Sequence, residues 1–329
     1  MTRRQIAAST LVLAAACQVV EIRSHPPTRA DLRATIEARL DSLPARTSFY
    51  AKHLATGMEI TIRADIPMNT ASVIKLPVMV LAYRDAEAGR LVLDGRHAIL
   101  PEEQRRGSGL LQTFAPGLQP TMRDIVTQMI ITSDNTATDI MIAAVGQDRV
   151  NRLLDSLGYR QTYLRTTTGS LFRWVWEMAD PANATMTDRQ VFERGFPSDT
   201  GSAERIFRLA EDSSRWLGRT TAREIARLLE QLERGELAGK ASTDEMRDIL
   251  QTQFYSSRLP QRLQFVAPIG HKTGDIPPAL GNDVGIIYGR NGPIVIAVFT
   301  NQNRGDFFAV EATIGNVAKD VFDAWGRKP

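Results

Sequence analysis

The chain has 329 residues, 43% of them hydrophobic and 23% charged, and a formal net charge of +3. That balance is ordinary for a globular protein, long enough for two domains or one large domain with an insertion. No basic block or repeat suggests a nucleic-acid face, no Cys/His cluster suggests a metal, and a single cysteine forbids an intramolecular disulfide.

The first segment, "MTRRQIAASTLVLAAACQVV", has Arg3 and Arg4 ahead of an apolar run over residues 6–16, with small residues before Cys17. This is the layout of an export signal over residues 1–24, and the run is too short for a permanent membrane span. Cys17 follows Ala14-Ala15-Ala16 as in a bacterial lipoprotein cleavage box, which makes it a candidate lipid anchor. Such boxes usually carry leucine where Ala14 stands, so an incidental cysteine in a cleaved peptide stays open, as does a twin-arginine reading of Arg3-Arg4. The expected location is the periplasm or cell envelope.

After a Pro-containing linker, Leu32, Ile36, Leu40 and Leu43 recur at helical spacing. Two β-rich runs around Thr56-Gly57 predict a hairpin. From about residue 72 to 235 the chain reads as mostly helical. Thr121 with Asp124, and Thr221 with Glu224, have capping-box spacing, and Gly158 is a helix stop. "QFVAPIGHKTGD", "NDVGIIYG" and "PIVIAVFTN" then read as strands, with "GRNG" as a turn, before a last helix over "EATIGNVAKDVFDAW". The predicted class is α+β: an antiparallel sheet flanked by N- and C-terminal helices, plus an all-helical inserted lobe. The α/β lobe takes residues 25–71 and 220–329, and the helical lobe takes 72–219. A cleft between them is the natural ligand site.

Three motifs bear on chemistry. Ser72 and Lys75, in "SVIK", stand at i and i+3, where a desolvated lysine can take the proton of a serine nucleophile. The plain alternative is a helix onset, since S-x-x-K arises by chance about once in such a chain. Ser133-Asp134-Asn135 falls between two apolar helical runs, where a hydroxyl and a carboxamide can serve a leaving nitrogen and an amide substrate. It also reads as an N-cap. Lys272-Thr273-Gly274 lies on a predicted strand, suited to holding a carboxylate, or simply a strand end. All three in one chain, in this order, are hard to attribute to chance.

Together, S-V-I-K, S-D-N and K-T-G resemble the active-site serine penicillin-recognising enzymes, and specifically class A β-lactamases. The similarity extends over residues 30–325, through "SGLLQTFAPGLQPTMRDIVTQMIITSDNTATDIMI" and "TTAREIARLLEQLERGELAGKAS". The resemblance implies Ser72 as nucleophile, Lys75 as proton acceptor and Ser133 as donor to the leaving nitrogen. It implies Asn135 for the substrate amide and Lys272 and Thr273 for its carboxylate, with Gly274 beside the ligand. The oxyanion hole would be the N–H groups of Ser72 and Asp275. No G-x-S-x-G elbow supports a Ser-His-Asp alternative.

Two departures stand out. The family's deacylating glutamate belongs about ten residues after Leu157-Gly158, near Thr166, Thr167 and Thr168, where there is no carboxylate. Glu177 is the nearest substitute, and residues 171–218 look inserted. Asp275, directly after K-T-G, either repels an anionic substrate or has its charge absorbed by a neighbouring arginine. Three functions follow in order: a β-lactamase-type hydrolase, a D-Ala-D-Ala peptidase that deacylates slowly, and a non-catalytic envelope lipoprotein that binds cell-wall fragments. The expected partner is a small-molecule β-lactam or a peptidoglycan peptide. No cofactor, metal or nucleic acid is implied, and the chain is read as a monomer.

Overall fold

The computed structural model describes residues 29–327. The expected export signal and Cys17 lie outside the described residues. Helix α1 (Arg29–Asp41) leads into the hairpin β1 (Arg46–His53) and β2 (Glu59–Ile62), and a short β3 (Met68–Asn69) precedes α2 (Lys75–Glu87). Then come α3 (Met122–Ile131), α4 (Asn135–Val145), α5 (Gln147–Ser156), β4 (Tyr163–Leu164), α6 (Thr168–Ala179), α7 (Asp188–Arg194), α8 (Ser202–Glu211) and β5 (Gly218–Thr220). Helices α9 (Ala222–Glu233) and α10 (Lys240–Gln251) return the chain to β6 (Ile269–Ile276), β7 (Leu280–Gly289) and β8 (Gly292–Asn301), and α11 (Phe307–Trp325) follows.

The main sheet is antiparallel throughout, in the order β2-β1-β8-β7-β6, so both ends of the chain build it. Strand β8 shows why "PIVIAVFTN" lacks polar alternation: both of its faces are covered. Ile294, Ile296 and Val298 pack with Ile36 and Leu40 of α1 and Ile314 and Val317 of α11. Val295, Ala297 and Phe299 belong to the other core, with Ile225 and Leu229 of α9 and Val78 and Met79 of α2. The α+β class and the flanking terminal helices are therefore as expected. A second sheet, β3-β5-β4, leaves no signal in the sequence because its strands are only two or three residues long.

The first of the three terminal strands begins later than the sequence suggests. Residues before Ile269 form turns, and Phe265 is 95% exposed, because Pro268 has no N–H to give a ladder. The caps hold with one change. Thr121 and Asp124 form a reciprocal box. Thr221 caps α9, but the Glu224 carboxylate instead accepts from the N–H groups of Arg160 and Gln161 and from the Thr162 hydroxyl.

One buried ion pair holds the inserted helices in place. Asp139 on α4 accepts from Arg105 Nε at 2.7 Å, from the N–H groups of Thr168 and Gly169 at 2.7 and 2.9 Å, and from the Thr168 hydroxyl at 2.8 Å. It thus accepts from the otherwise unpaired N–H donors that open α6. Arg105 continues to Asp188 of α7 at 2.8 Å. Asp139→Ala would take from Arg105 one of its two carboxylates and leave two helix N–H groups unpaired. We expect it to cost about 3 kcal/mol, seen as a fall of several degrees in Tm. Glu37→Ala, at an exposed helix pair with Arg33, should cost less than about 0.5 kcal/mol. Equal melting shifts for the two variants would contradict this account.

Candidate active site

Ser72 sits in a 3-10 turn, Ala71–Ile74, that runs directly into α2, so Lys75 opens the helix one turn later. Helix α2 is apolar around most of its circumference and is the central helix of the helical lobe. That setting buries Lys75 completely while Ser72 stays half-exposed at the cleft. Ala71, just before the serine, has φ 41°, and Ser133 has φ 54°. Both are strained for residues with a side chain, and both flank the same point.

A network of asparagines holds this turn. Asn69 N–H donates to Asn301 Oδ1 at 2.7 Å, and Ala71 N–H donates to Asn69 Oδ1 at 3.0 Å. Asn282 Nδ2 donates to the Asn69 carbonyl at 2.9 Å, and Asn301 Nδ2 donates to Asn282 Oδ1 at 3.1 Å. All three asparagines are buried. The backbone before Ser72 is thereby tied to β7 and β8. Gly274 of β6 makes the third side of this contact: a Cβ there would stand 2.4 Å from the Thr70 carbonyl oxygen. The glycine of K-T-G thus lets the strand approach the serine's own turn, a use different from the expected close approach to a ligand.

The S-D-N segment forms the turn between α3 and α4. Asp134 is the N-cap of α4, accepting from Ala137 N–H at 2.9 Å, and also holds Leu111 N–H at 2.7 Å. Capping and presentation coexist: Asp134 takes the cap, which leaves Ser133 and Asn135 to face Lys75. Gly109 abuts this turn with φ 103°, and any Cβ there would overlap Asp134.

Lys75 Nζ lies 2.7 Å from the Ser133 carbonyl, 3.0 Å from Asn135 Oδ1 and 3.2 Å from Ser133 Oγ. Lys272 Nζ lies 3.0 Å from the same Oγ and donates to the Thr273 carbonyl at 2.9 Å. One hydroxyl therefore bridges two buried amines. Burial drives the Lys75 pKa well below its ordinary value, and the Lys272 charge drives it further. A neutral amine has two N–H groups, which the Ser133 carbonyl and Asn135 can accept, and one lone pair left for a serine proton. Burial brings Lys272 down to about 7, with Asp275 and Asp283 working against the shift.

Asp275 is paired with Arg258, a buried guanidinium that also gives a hydrogen bond to the Asn282 carbonyl at 2.7 Å. Glu311 lies 3.5 Å from Arg258 Nε. An arginine thus absorbs the Asp275 charge, as one of the two sequence readings had it. The Thr273 hydroxyl is buried beside them with no hydrogen-bond partner among the described residues.

Ser72, Asn135 and Asp275 line a single cleft, with Tyr255 and Arg258, while Lys75, Ser133, Lys272 and Thr273 are buried behind it. Glu177 does not join them. It lies on α6 with Oε1 3.2 Å from Arg215, outside the residues that line the cleft. Of the three threonines at the expected glutamate slot, only Thr168 reaches the cleft, with Leu171, Phe172 and Val175 following on the same helix face. Sequence reading missed Arg258, the three asparagines and Asp139, because each acts through a fold contact and belongs to no short motif.

Fold and site define the serine-hydrolase fold shared by β-lactamases and penicillin-binding proteins. The chain belongs to the Beta-lactamase enzyme family, whose model matches residues 31–325. It is 23% identical over 312 residues to a β-lactamase of Streptomyces lavendulae, covering 92% of this chain and 88% of that protein. A β-lactamase structure from Sphaerobacter thermophilus DSM 20745 superposes with a TM-score of 0.71 at 26% identity, over 89% of this chain and 96% of that one. PBP-A, and a mutant of it in an acyl-enzyme complex with penicillin G, each reach a TM-score of 0.71 at 23% identity, over 92% and 98% of the two chains.

The two lysines set a testable pH dependence. With Lys75 acting as the neutral base and Lys272 as a cation, covalent labelling at Ser72 should fall as pH rises through about 7 and Lys272 loses its proton. The slope should approach about tenfold per unit. Lys272→Arg, which stays charged, should move that fall out of the measurable range. A wild-type labelling rate still rising at pH 9 would contradict the assignment.

Proposed function

We propose that the protein is a serine hydrolase that opens amide bonds through a Ser72 acyl-enzyme, acylates readily with β-lactams and releases the acyl group slowly. The observation that carries this reading is the chain Lys75–Ser133–Lys272 behind Ser72. The Ser72 hydroxyl attacks the amide carbonyl while its proton passes to the lone pair of neutral Lys75. Ser133 gives its proton to the leaving nitrogen and is resupplied by a flanking amine. The N–H groups of Ser72 and Asp275 take the oxyanion, and Lys272 and Thr273 take a carboxylate where the substrate has one.

Release is the weak half. A water attacking the acyl group from the α6 side meets Thr168, whose hydroxyl is committed to Asp139, and the rings and methyls of Phe172, Leu171 and Val175. Both carboxylates that line the cleft, Asp275 and Glu311, lie against Arg258. Among the described residues, no carboxylate lining the cleft stands free to activate that water. This favours the slow, penicillin-binding reading, on a fold shared with PBP-A, a mutant of which forms an acyl-enzyme complex with penicillin G. The β-lactamase reading keeps one specific support, the β-lactamases among its relatives.

A time course with excess chromogenic cephalosporin, followed by intact-mass spectrometry, separates the two. We expect a burst of about one equivalent and a persistent adduct, absent in Ser72→Ala. Steady turnover without adduct would favour the β-lactamase reading, and neither product nor adduct would overturn acyl transfer altogether.

Asp275 supplies an independent check. Its carboxylate occupies Arg258 at the end of the cleft where a substrate anion would seek a cation. Asp275→Asn should therefore free Arg258 for a substrate carboxylate and, at a pH well below 7 where Lys272 keeps its proton, speed acylation by penicillins by roughly tenfold, since an opposite charge brought within reach is worth on the order of a kcal/mol or more. A slower or unchanged second-order rate would show that the pair does not disfavour anionic substrates.

A further inference from the structure

The cleft is larger and more apolar than attack on a small amide requires. Its volume is about 810 Å³, toward the upper end for small-molecule sites. Beyond Ser72 and Asn135 it continues between α6, α8 and the segment joining α7 to α8. There it is walled by Leu171, Phe172, Val175, Phe196, Ile206 and Leu209. Phe172 and Phe196 meet edge to face, with centroids 5.3 Å apart. Phe196 is nevertheless 48% exposed.

Polar atoms near this wall are already committed. Asn135 Nδ2 donates to the Arg106 carbonyl at 3.0 Å, and the Thr168 hydroxyl is taken by Asp139. Arg205 of α8 gives its Nη2 to Asp199 and Ser202 and does not line the cleft, although its buried Nε has no partner among the described residues. This part of the cleft therefore offers a ligand mainly dispersion and release of water. Every wall residue named comes from the stretch 171–218 that looks inserted in the sequence, so that stretch builds the chamber.

We propose that this chamber is a binding site for a bulky apolar acyl group, and that the substrates are amides or esters whose acyl side carries a hydrocarbon chain or aryl group. The proposal rests on the Ser72 acyl-transfer reading for its placement, because the chamber opens beside the nucleophile. The group seated there is the one that stays on Ser72 as the acyl-enzyme. Its hydrocarbon would cover the face of α6 from which water must come, which is consistent with slow release.

The test uses Ser72→Ala, which cannot acylate, and measures Kd by calorimetry for N-acetyl-, N-butanoyl- and N-octanoyl-D-alanine. Burying a methylene is worth enough to tighten binding roughly threefold to fourfold. Even with part of the chain left in water, at least about a tenfold gain from acetyl to octanoyl is expected. That ratio should collapse when Ile206→Glu or Phe196→Ser is added. Phe196 is half in solvent, so its variant keeps the test open should a charge at Ile206 disturb folding. A flat series, no measurable octanoyl binding, or a gain that survives both added variants would overturn the proposal. Because no covalent step is read, these outcomes are separate from a failure of wild-type protein to form an adduct, which would sink the acyl-transfer reading alone.

Discussion

Everything at this site depends on an amine held where water cannot reach it. Lys75 opens a helix whose first turns are otherwise hydrocarbon, and among the described residues its nitrogen finds the carbonyl and hydroxyl of Ser133 and the Asn135 amide oxygen. A charged ammonium there would lose its hydration and sit beside Lys272. The neutral form escapes both costs, and a neutral amine is a base. The helix that forms the lobe's core is thus also the means of tuning the group beside Ser72.

Two polar clusters, one on each side of the cleft, hold that geometry. On the sheet side, Asn69, Asn282 and Asn301 lock the turn before Ser72 onto β7 and β8, with a strained Ala71 completing it. On the helical side, Asp139 collects Arg105 and the first N–H groups of α6, fixing the wall that faces the serine. Both clusters are buried and well satisfied, the condition under which buried polar groups rigidify a structure. The floor and the wall of the cleft therefore hold their places relative to each other.

The wall so fixed divides the chemistry unevenly. Groups suited to taking and giving protons during acylation lie behind Ser72, whereas the α6 face in front of it is threonine, leucine, phenylalanine and valine. Glu177, on the same helix, is turned to Arg215. On the proposed mechanism, a site of this kind would commit to the covalent intermediate more readily than it leaves it. At the far end, Asp275 and Glu311 already occupy Arg258, so the cleft is less welcoming to anions than two lysines and an arginine would suggest.

The sequence by itself determined the local elements and the candidate site groups. Helical spacing of Leu32, Ile36 and Leu40, the unbroken apolar run of β8, and the S-x-x-K, S-D-N and K-T-G triplets each act over a few residues, so each is legible in a window. Part of the capping was legible for the same reason, down to Asp134 at the head of α4. The tertiary structure alone decided the rest. It put Glu177 outside the cleft, gave Asp275 to Arg258, turned Gly274 toward the serine's own backbone, and lined an apolar chamber with side chains from residues 171–218. These outcomes depend on which side chains meet across long separations, and on which of them water can still reach. No short window records burial or partnership of that range, and those are what set the charge, the base strength and the shape of this site.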